Sequence, residues 1–278
     1  FYKSIYLNNQ FIPSYVNLGK AMTKIKNFKT AEQAFNKALQ LNNSETQALI
    51  GKGLIKVKQG LLREAAKFYE ASLQIKLDRF AVRTLAAIYT NLWEHKKDYK
   101  DLLRAKELLE KDFFAFPNDA GTTLHHLSGL MARMSFIKFS EKDYSLILAI
   151  LRQDPTSIIK MENAIKSLIK LHPFFCSSKN FFNSDYDIDQ LEETILNLGR
   201  IELLIEALSA YPISDLVIER LLVSTRFNVL KNIYKLNNSQ YLRRLIFALT
   251  KNCFINEHIF SVSAEENYLL EKLQKKIS

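Results

Sequence analysis

Glycine and proline are scarce in this chain of 278 residues, which contains seven glycines and five prolines. β-Sheets and long loops use these residues at their turns, so their scarcity favours a chain that is almost wholly helical. The chain has two cysteines, Cys176 and Cys253, too few for a disulfide framework or a four-cysteine metal site. We therefore expect two buried or half-buried thiols in a reducing compartment and a cytoplasmic protein.

Long apolar runs are also lacking. The longest candidates, such as residues 144–151, have about half of the roughly 18 residues that a membrane-spanning helix needs. The first ten residues, FYKSIYLNNQ, contain neither a methionine nor the apolar core of a signal peptide. The sequence therefore predicts no membrane partner.

The charge balance is basic, with a net charge of +10 and a pI near 9.4. Such a balance can indicate a nucleic-acid or other acidic partner. The lysines are spread along the chain, however, and their densest groups lack the arginines and interleaved aromatic residues of a stacking surface. We interpret most of this charge as solvated helix faces, which leaves a basic helical-repeat protein that binds nucleic acid as the least favoured alternative.

Residues 15–73 contain a repeated pattern. Similar residues recur there at a spacing of 34, which is the period of a helix–turn–helix repeat. The recurring pairs are Gly19 and Gly53, Ala31 and Ala65, Phe35 and Tyr69, and Leu39 and Leu73. The pattern predicts two helical pairs, one formed by residues 13–26 and 30–41 and the other by residues 45–59 and 61–77.

The segments LGKAMTKIKNFKTAEQAFNKALQLNN and GKGLIKVKQGLLREAAKFYEASLQIKLD resemble the tetratricopeptide repeat family. The resemblance implies an all-α solenoid in which Gly19 and Gly53 face Ala31 and Ala65, where two helices come closest. Lys56 departs from the family pattern, because that position is usually aromatic. We expect repeats near residues 12–45, 46–79, 80–119 and 120–153.

These repeats would form a solenoid over residues 1–155, followed by a helical extension over residues 156–278 that stacks as a bundle on its end. Counting back one full repeat period from Phe35 reaches Phe1. We therefore expect the chain to begin inside an earlier repeat and to be part of a longer protein.

The third repeat is looser than the first two. Ala86 and Ala87 take the small-residue position of its first helix, and Ala105 and Leu109 follow in its second helix. Its register requires about six extra residues relative to the 34-residue period. The charged segment at residues 94–101 supplies them.

After residue 155 the 34-residue period fades, whereas the helical periodicity persists. The segment PISDLVIERLLVSTRFNVL, followed by ALTKNCFINEHIF, resembles a helical region of bacterial tetratricopeptide proteins. In those proteins this region precedes an S-adenosylmethionine-dependent methyltransferase domain. The resemblance implies that this chain is the non-catalytic front portion of a bacterial protein and recruits a polypeptide substrate to that domain. The alternative is a free-standing adaptor with no enzyme attached.

No catalytic or metal site is predicted within the chain. Gly51-Lys52-Gly53 has the G-x-G spacing, but it lies inside a repeat helix and not after a strand, as a cofactor loop requires. His125 and His126 are adjacent on a predicted helix, where side chains point about 100° apart and cannot chelate one ion together. We expect no cofactor in this chain, and S-adenosylmethionine would bind in a domain outside it.

Two polar residues of the C-terminal half are interpreted as structural. Asp215 follows Ser214 at the start of a predicted helix and is expected to cap it. Arg226 is expected to form an ion pair with Asp215 or Glu219.

The inner, concave surface of the predicted solenoid is the candidate binding site. The first helix of each repeat lines this surface, and ligands there are usually extended peptides. Counting from the glycines predicts the peptide-binding residues Asn17, Lys20, Thr23, Gln47, Leu54, Thr84, Ile88 and Asn91. Their mixture of one lysine, amides and aliphatic groups suits a partly apolar segment of a protein or peptide. Two alternatives remain for this surface: it is open to a ligand, or the chain's own C-terminal helices cover it.

Overall fold

The computed structural model describes residues 1–116, 121–178, 188–211, 213–233, 235–236, 239–255 and 264–277, and every structural statement refers to these residues. They form sixteen α-helices and one short 3-10 turn, without a strand. The chain divides into two compact units, Phe1–Leu130 and Met131–Ser278. The predicted all-α fold is confirmed. The repeat expected over residues 120–153 is shared between the two units.

The first unit is built from consecutive helical hairpins. Its helices are α1 (Tyr2–Leu7), α2 (Ile12–Lys24), α3 (Phe28–Leu41), α4 (Thr46–Lys58), α5 (Leu62–Ile75), α6 (Arg79–Lys96), α7 (Tyr99–Ala115) and α8 (Gly121–Met131), the last of which ends at the division. The closest pairs are α2 with α3, α4 with α5, and α6 with α7, and each hairpin packs on the next. The two helical pairs predicted from the 34-residue period are therefore confirmed.

The ring of Phe35 on α3 organises the packing of the first two hairpins. It is fully buried. A Cβ atom built on Gly19 of α2 would lie 2.5 Å from this ring, and one built on Gly51 of α4 would lie 2.2 Å from it. Real Cβ atoms do not approach so closely, so the absence of a side chain at both positions lets two helices contact one ring.

The glycines differ from the sequence expectation in what they face. The atoms nearest to a Cβ built on Gly19 belong to Phe35 and not to Ala31, and those nearest to one built on Gly53 belong to Tyr69. The small residue of each first helix thus makes room for the aromatic ring of the second helix. The physical reason is that a ring projects much further from its helix than the methyl group of an alanine.

Tyr69 occupies in the second repeat the position that Phe35 occupies in the first. Its side chain is fully buried, and its hydroxyl has no hydrogen-bond partner among the described residues. Burial raises the pKa of Tyr69 to about 12. This hydroxyl is therefore a buried polar group that opposes the stability of the repeat.

The third hairpin is offset by one residue from the repeat period. The residues that precede α2, α4 and α6 are Phe11, Glu45 and Asp78. The interval from Phe11 to Glu45 equals the repeat period, whereas the interval from Glu45 to Asp78 is one residue shorter. A shift of one residue rotates a helix position by about 100°. Ile55 on α4 therefore corresponds to Ile88 on α6, and both are buried.

The charged segment at residues 94–101 forms no loop. It contains the end of α6, a turn at Lys97 and Asp98, and the start of α7. α6 and α7 have 18 and 17 residues, whereas α4 and α5 have 13 and 14, so the extra residues lengthen both helices by roughly one turn. Asp101 is buried there and accepts two hydrogen bonds from Arg63 of α5, at 3.0 and 2.7 Å.

A buried carboxylate joins the last helices of the first unit. Asp112 on α7 is fully buried and accepts hydrogen bonds from Arg79 of α6, at 2.9 Å, and from Thr123 of α8. Burial alone would raise the pKa of Asp112, but these hydrogen bonds and the charges of Arg79 and Arg83 outweigh it and hold the pKa below its ordinary value. Removing one partner of such a pair leaves an uncompensated buried charge, so the cluster fixes α6, α7 and α8.

The second unit is also helical. Its helices are α9 (Glu141–Gln153), α10 (Glu162–Leu171), α11 (Pro173–Ser178), α12 (Ile188–Arg200), α13 (Glu202–Ala210), α14 (Leu216–Asn232), α15 (Gln240–Ile255) and α16 (Ala264–Ile277), and the 3-10 turn Pro155–Ile158 follows α9. α12 and α13 pack against α15, and α14 packs against α16. α12 approaches α15 closely at Gly199, where a built Cβ would lie 2.8 Å from Tyr241.

Two polar predictions for the second unit have different outcomes. The capping role of Asp215 is confirmed, because its carboxylate accepts hydrogen bonds from the backbone of Val217 and Ile218, at 3.1 and 3.2 Å. Arg226 pairs with Glu266 of α16, at 2.9 Å, so the prediction of a pair with Asp215 or Glu219 is wrong. Glu266 is 2% exposed and requires a positive partner.

The two cysteines give one correction. Cys176 is exposed, whereas a buried or half-buried thiol was expected. It lies in the six-residue helix α11, whose buried residues are Phe175 and Ser178 on either side of it. The side chain of Cys253 is outside the described part of the chain.

We predict that Gly51→Ala lowers the free energy of unfolding by about 1–3 kcal/mol, because the added methyl group must displace the buried ring of Phe35. Urea unfolding followed by circular dichroism measures this change. Gly121→Ala is the control, since nothing lies within 4 Å of a Cβ built there. Equal effects of the two substitutions would contradict the role assigned to Gly51.

We predict that Tyr69→Phe raises the free energy of unfolding by about 1 kcal/mol, because it removes a buried hydroxyl that has no partner. The matched control is Tyr144→Phe, since the hydroxyl of Tyr144 accepts a hydrogen bond from the backbone of Leu203 at 3.0 Å. That substitution should lower stability by about 1 kcal/mol. A loss of stability in Tyr69→Phe would show that its hydroxyl has a partner.

Candidate peptide-binding groove

A groove of about 640 Å³ lies along α2 and α4 and reaches the start of α6. We call it the first-helix groove, because the first helices of three consecutive hairpins contribute to it. Its lining residues are Lys20, Thr23, Lys24, Phe35, Gln47, Ile50, Gly51, Leu54, Lys58, Asp78 and Phe80. A volume of this size accommodates a small ligand or several side chains of a peptide.

Four of the eight predicted binding residues line this groove: Lys20, Thr23, Gln47 and Leu54. The ammonium of Lys20 donates a hydrogen bond to Oε1 of Gln47 at 2.9 Å, which joins the polar rims of α2 and α4. The hydroxyl of Thr23 donates to the backbone carbonyl of Gly19 at 2.8 Å, so its hydrogen is already used within the helix. Leu54 is half-buried and offers apolar surface.

The other four predicted residues lie outside the lining of the groove. Asn17 and Asn91 are exposed and Thr84 is half-buried. Ile88 is 4% exposed and packs in the core, so the prediction that it lines a surface is wrong. The cause is the offset of α6, because counting one period onward from Leu54 reaches a position that faces inward. A peptide-binding role for the other seven stays a prediction.

Among the lining residues that are absent from the predicted set are Lys24, Lys58, Asp78 and Phe80. Lys24 and Lys58 are one period apart and occupy the same place in successive repeats, a signal that the sequence does contain. With the one-residue offset of α6, Phe80 corresponds to Gln47 on α4, which also lines the groove. It is 56% exposed although it is a large aromatic residue at the start of a helix.

The groove combines a positive rim with an apolar floor. Three lysines, Lys20, Lys24 and Lys58, are exposed, and none forms an ion pair within the described residues. The one carboxylate of the lining, that of Asp78, accepts a hydrogen bond from the backbone of Ala81 at 2.9 Å and caps α6. Leu54 and Phe80 supply the apolar surface, with a small contribution from Ile50, and the fully buried ring of Phe35 lies beneath it. Such a surface can bind a segment that carries both apolar and acidic groups.

A second groove, of about 420 Å³, lies between α5 and α7 over α6. We call it the second-helix groove. Its polar groups are engaged with one another: Tyr89 donates a hydrogen bond to Glu70, and the guanidinium of Arg104 lies 5.5 Å from the centre of the Tyr89 ring. Burial and the hydrogen bond to Glu70 raise the pKa of Tyr89 to about 12. The lining also contains Gln74, Glu107 and Lys111, so its two acidic and two basic side chains balance, whereas three lysines and one aspartate line the first-helix groove.

The glycine pair of α4 and the two adjacent histidines are the other motifs that the sequence analysis considered. Gly51-Lys52-Gly53 lies within α4, where the rings of Phe35 and Tyr69 fill the space beside its glycines, so its interpretation as part of a repeat helix is confirmed. The rings of His125 and His126 are centred 6.1 Å apart. Over the described residues there is no group of three or more histidine, cysteine, aspartate or glutamate side chains that could hold a metal ion.

No helix in the described part of the chain is long and apolar enough to cross a membrane. The end of the segment ALTKNCFINEHIF, residues 256–260, lies outside the described residues.

Comparison with known proteins identifies the first hairpin. Residues 12–45 match the family model named tetratricopeptide repeat, and this range contains α2 and α3. No curated protein is significantly similar to the chain. One solved structure that matches is titled "Crystal structure of YrrB: a TPR protein with an unusual peptide-binding site". The sequences of this chain and of that protein are 21% identical, and the structural match has a TM-score of 0.43. It covers 74% of this chain and 96% of that chain. The family match thus applies to one helical hairpin of an all-α chain, residues 12–45, which is similar to a tetratricopeptide repeat.

Proposed function

We propose that the chain is a protein-interaction scaffold that binds an extended polypeptide segment in the first-helix groove. The observation that carries the proposal is the continuity of this groove along α2, α4 and the start of α6, with apolar residues at its floor and polar side chains at its rim. An extended segment needs both kinds of contact, because its backbone must form hydrogen bonds while its side chains bury apolar surface.

The polar rim suits a peptide backbone. Gln47 carries two amide hydrogens as donors, and its carbonyl oxygen is held by Lys20. Lys24 and Lys58 add further donors on α2 and α4. Leu54 and Phe80 provide partly exposed apolar surface that a bound side chain would cover. The groove thus supplies apolar contact and hydrogen bonds without a catalytic group.

We predict that Phe80→Ala weakens peptide binding about tenfold or more, because a bound apolar side chain loses the ring that covers it. The probes are peptides enriched from a random display library on the purified chain, and fluorescence polarisation measures their affinity. Leu54→Gln should weaken binding in the same way. Phe114→Ala is the matched control, since Phe114 is 57% exposed and lies on α7, outside the lining of the groove.

The proposal fails if the library yields no binding peptide, or if Phe80→Ala and Leu54→Gln leave the affinity of every enriched peptide unchanged. Thermal unfolding of each variant separates a loss of binding from a loss of folding.

We also propose that the bound segment is a polypeptide substrate and that a methyltransferase domain of the same bacterial protein, which uses S-adenosylmethionine, acts on it. The resemblance of the segment PISDLVIERLLVSTRFNVL to the region preceding such domains supports this proposal. In the second unit this segment contains most of α14, which Asp215 caps and which Arg226 ties to α16. The scaffold itself contributes no catalytic residue in this account.

We predict that the complete reading frame of the gene contains a strand, a glycine-rich turn and a helix after residue 278, since a methyltransferase of this kind binds its cofactor there. Sequencing of the gene region tests this. A stop codon directly after residue 278, with no such unit, would contradict the methyltransferase proposal and favour the free-standing adaptor. Peptide binding in the groove would be unaffected by that outcome.

A further inference from the structure

We infer that the first-helix groove selects acidic polypeptide segments, in which an aspartate or glutamate lies close to a large apolar residue. The inference rests on the proposed function of this groove and names the chemistry of its partner. Three observations carry it: the charge of the rim, the ion pairing of Lys56 outside the groove on α4, and the apolar floor.

The rim of the groove has more positive charge than its own residues neutralise. Lys20 and Lys24 on α2 and Lys58 on α4 face one carboxylate, Asp78, which is engaged in capping α6. Lys20 donates to Gln47, whose neutral amide leaves the ammonium charge uncompensated. Clustered like charges repel one another, and a bound carboxylate would relieve that repulsion.

Lysines outside the groove on α4 have partners. Lys56 forms ion pairs with Glu32, at 3.2 Å, and with Glu64, at 3.6 Å. The ammonium of Lys52 donates to the side chain of Asn36 at 2.8 Å. Of these two lysines only Lys56 is paired with carboxylates, whereas Lys58 inside the groove forms no ion pair among the described residues.

The lysines of the groove lie on both of its first helices, α2 and α4. Lys24 and Lys58 occupy the same place in two successive repeats, so they lie side by side on neighbouring first helices. Lysines in the last turn of a helix also favour the helix dipole, which is an effect on stability alone. Lys20 lies in the middle of α2, where that effect does not apply.

The floor of the groove determines the apolar part of the partner. Leu54, which is half-buried, and Ile50 form this floor, and the fully buried ring of Phe35 lies beneath them against Gly51. Phe80 stands at the edge, 56% exposed. Neighbouring residues of an extended segment point to opposite faces, so an acidic and an apolar side chain in adjacent positions can reach the rim and the floor.

The test compares two triple variants of the complete chain. The first changes the groove lysines, as Lys20→Gln, Lys24→Gln and Lys58→Gln. The second changes three exposed lysines of the second helices, as Lys29→Gln, Lys37→Gln and Lys67→Gln, and removes the same charge outside the groove. The probes are peptides enriched from a random display library on the unmodified chain, together with the same peptides in which each acidic residue is replaced by its amide.

We expect the enriched peptides to carry an aspartate or glutamate next to phenylalanine, leucine, isoleucine or methionine. The groove variant should lose about tenfold or more in affinity, since several exposed charge pairs are removed together. The control variant should lose much less. The amide peptides should bind the unmodified chain as weakly as the acidic peptides bind the groove variant, with little further loss when both changes are combined. A Lys→Arg variant at the three groove positions should retain the affinity.

Several outcomes would overturn the inference. Enriched peptides that are neutral or basic would do so, as would equal losses in the two triple variants. Displacement of the peptides by a single-stranded oligonucleotide of comparable affinity would assign the rim to nucleic acid. Unchanged binding by a groove variant with a shifted melting temperature would assign the lysines to stability alone.

Failure of the inference differs from failure of the proposed function. If binding is sensitive to Phe80→Ala but insensitive to the lysine changes, a peptide groove remains and its acidic preference is wrong. If binding is insensitive to Phe80→Ala as well, both are wrong.

Discussion

The contact of the Phe35 ring with two glycine positions is the constraint on which the first hairpins depend. Gly19 and Gly51 bring α2 and α4 onto the same ring, and a methyl group at either position would overlap it. The same ring, fully buried, lies beneath the floor of the first-helix groove. The packing that joins successive repeats therefore also shapes the proposed binding surface, so core and site are parts of one arrangement.

The repeat period predicted the first two hairpins because small and aromatic residues recur at positions that fix how helices pack. It failed on α6, which starts one residue earlier than the period requires, so that Ile88 turns into the core. A shift of one residue does not remove any helical signal from the sequence, so periodicity alone cannot detect it. Arg226 and Glu266 lie far apart in sequence, and their pairing arises when α14 packs against α16.

The same periodicity predicted only part of the groove. Counting along the first helices found Lys20, Gln47 and Leu54, which lie within the regular period. It missed Phe80, because the groove also includes the start of the next hairpin, where the period is interrupted. A binding surface between elements depends on how those elements are offset, and this offset is a property of the folded chain.

The central claim is that a polypeptide binds between α2 and α4. Methyl NMR of the chain with an enriched peptide tests it most directly, because Ile50 and Leu54 line the first-helix groove whereas Leu73 and Leu108 line the second-helix groove. If the peptide binds there, the signals of Ile50 and Leu54 shift on titration and those of Leu73 and Leu108 do not. Shifts confined to Leu73 and Leu108 would contradict it.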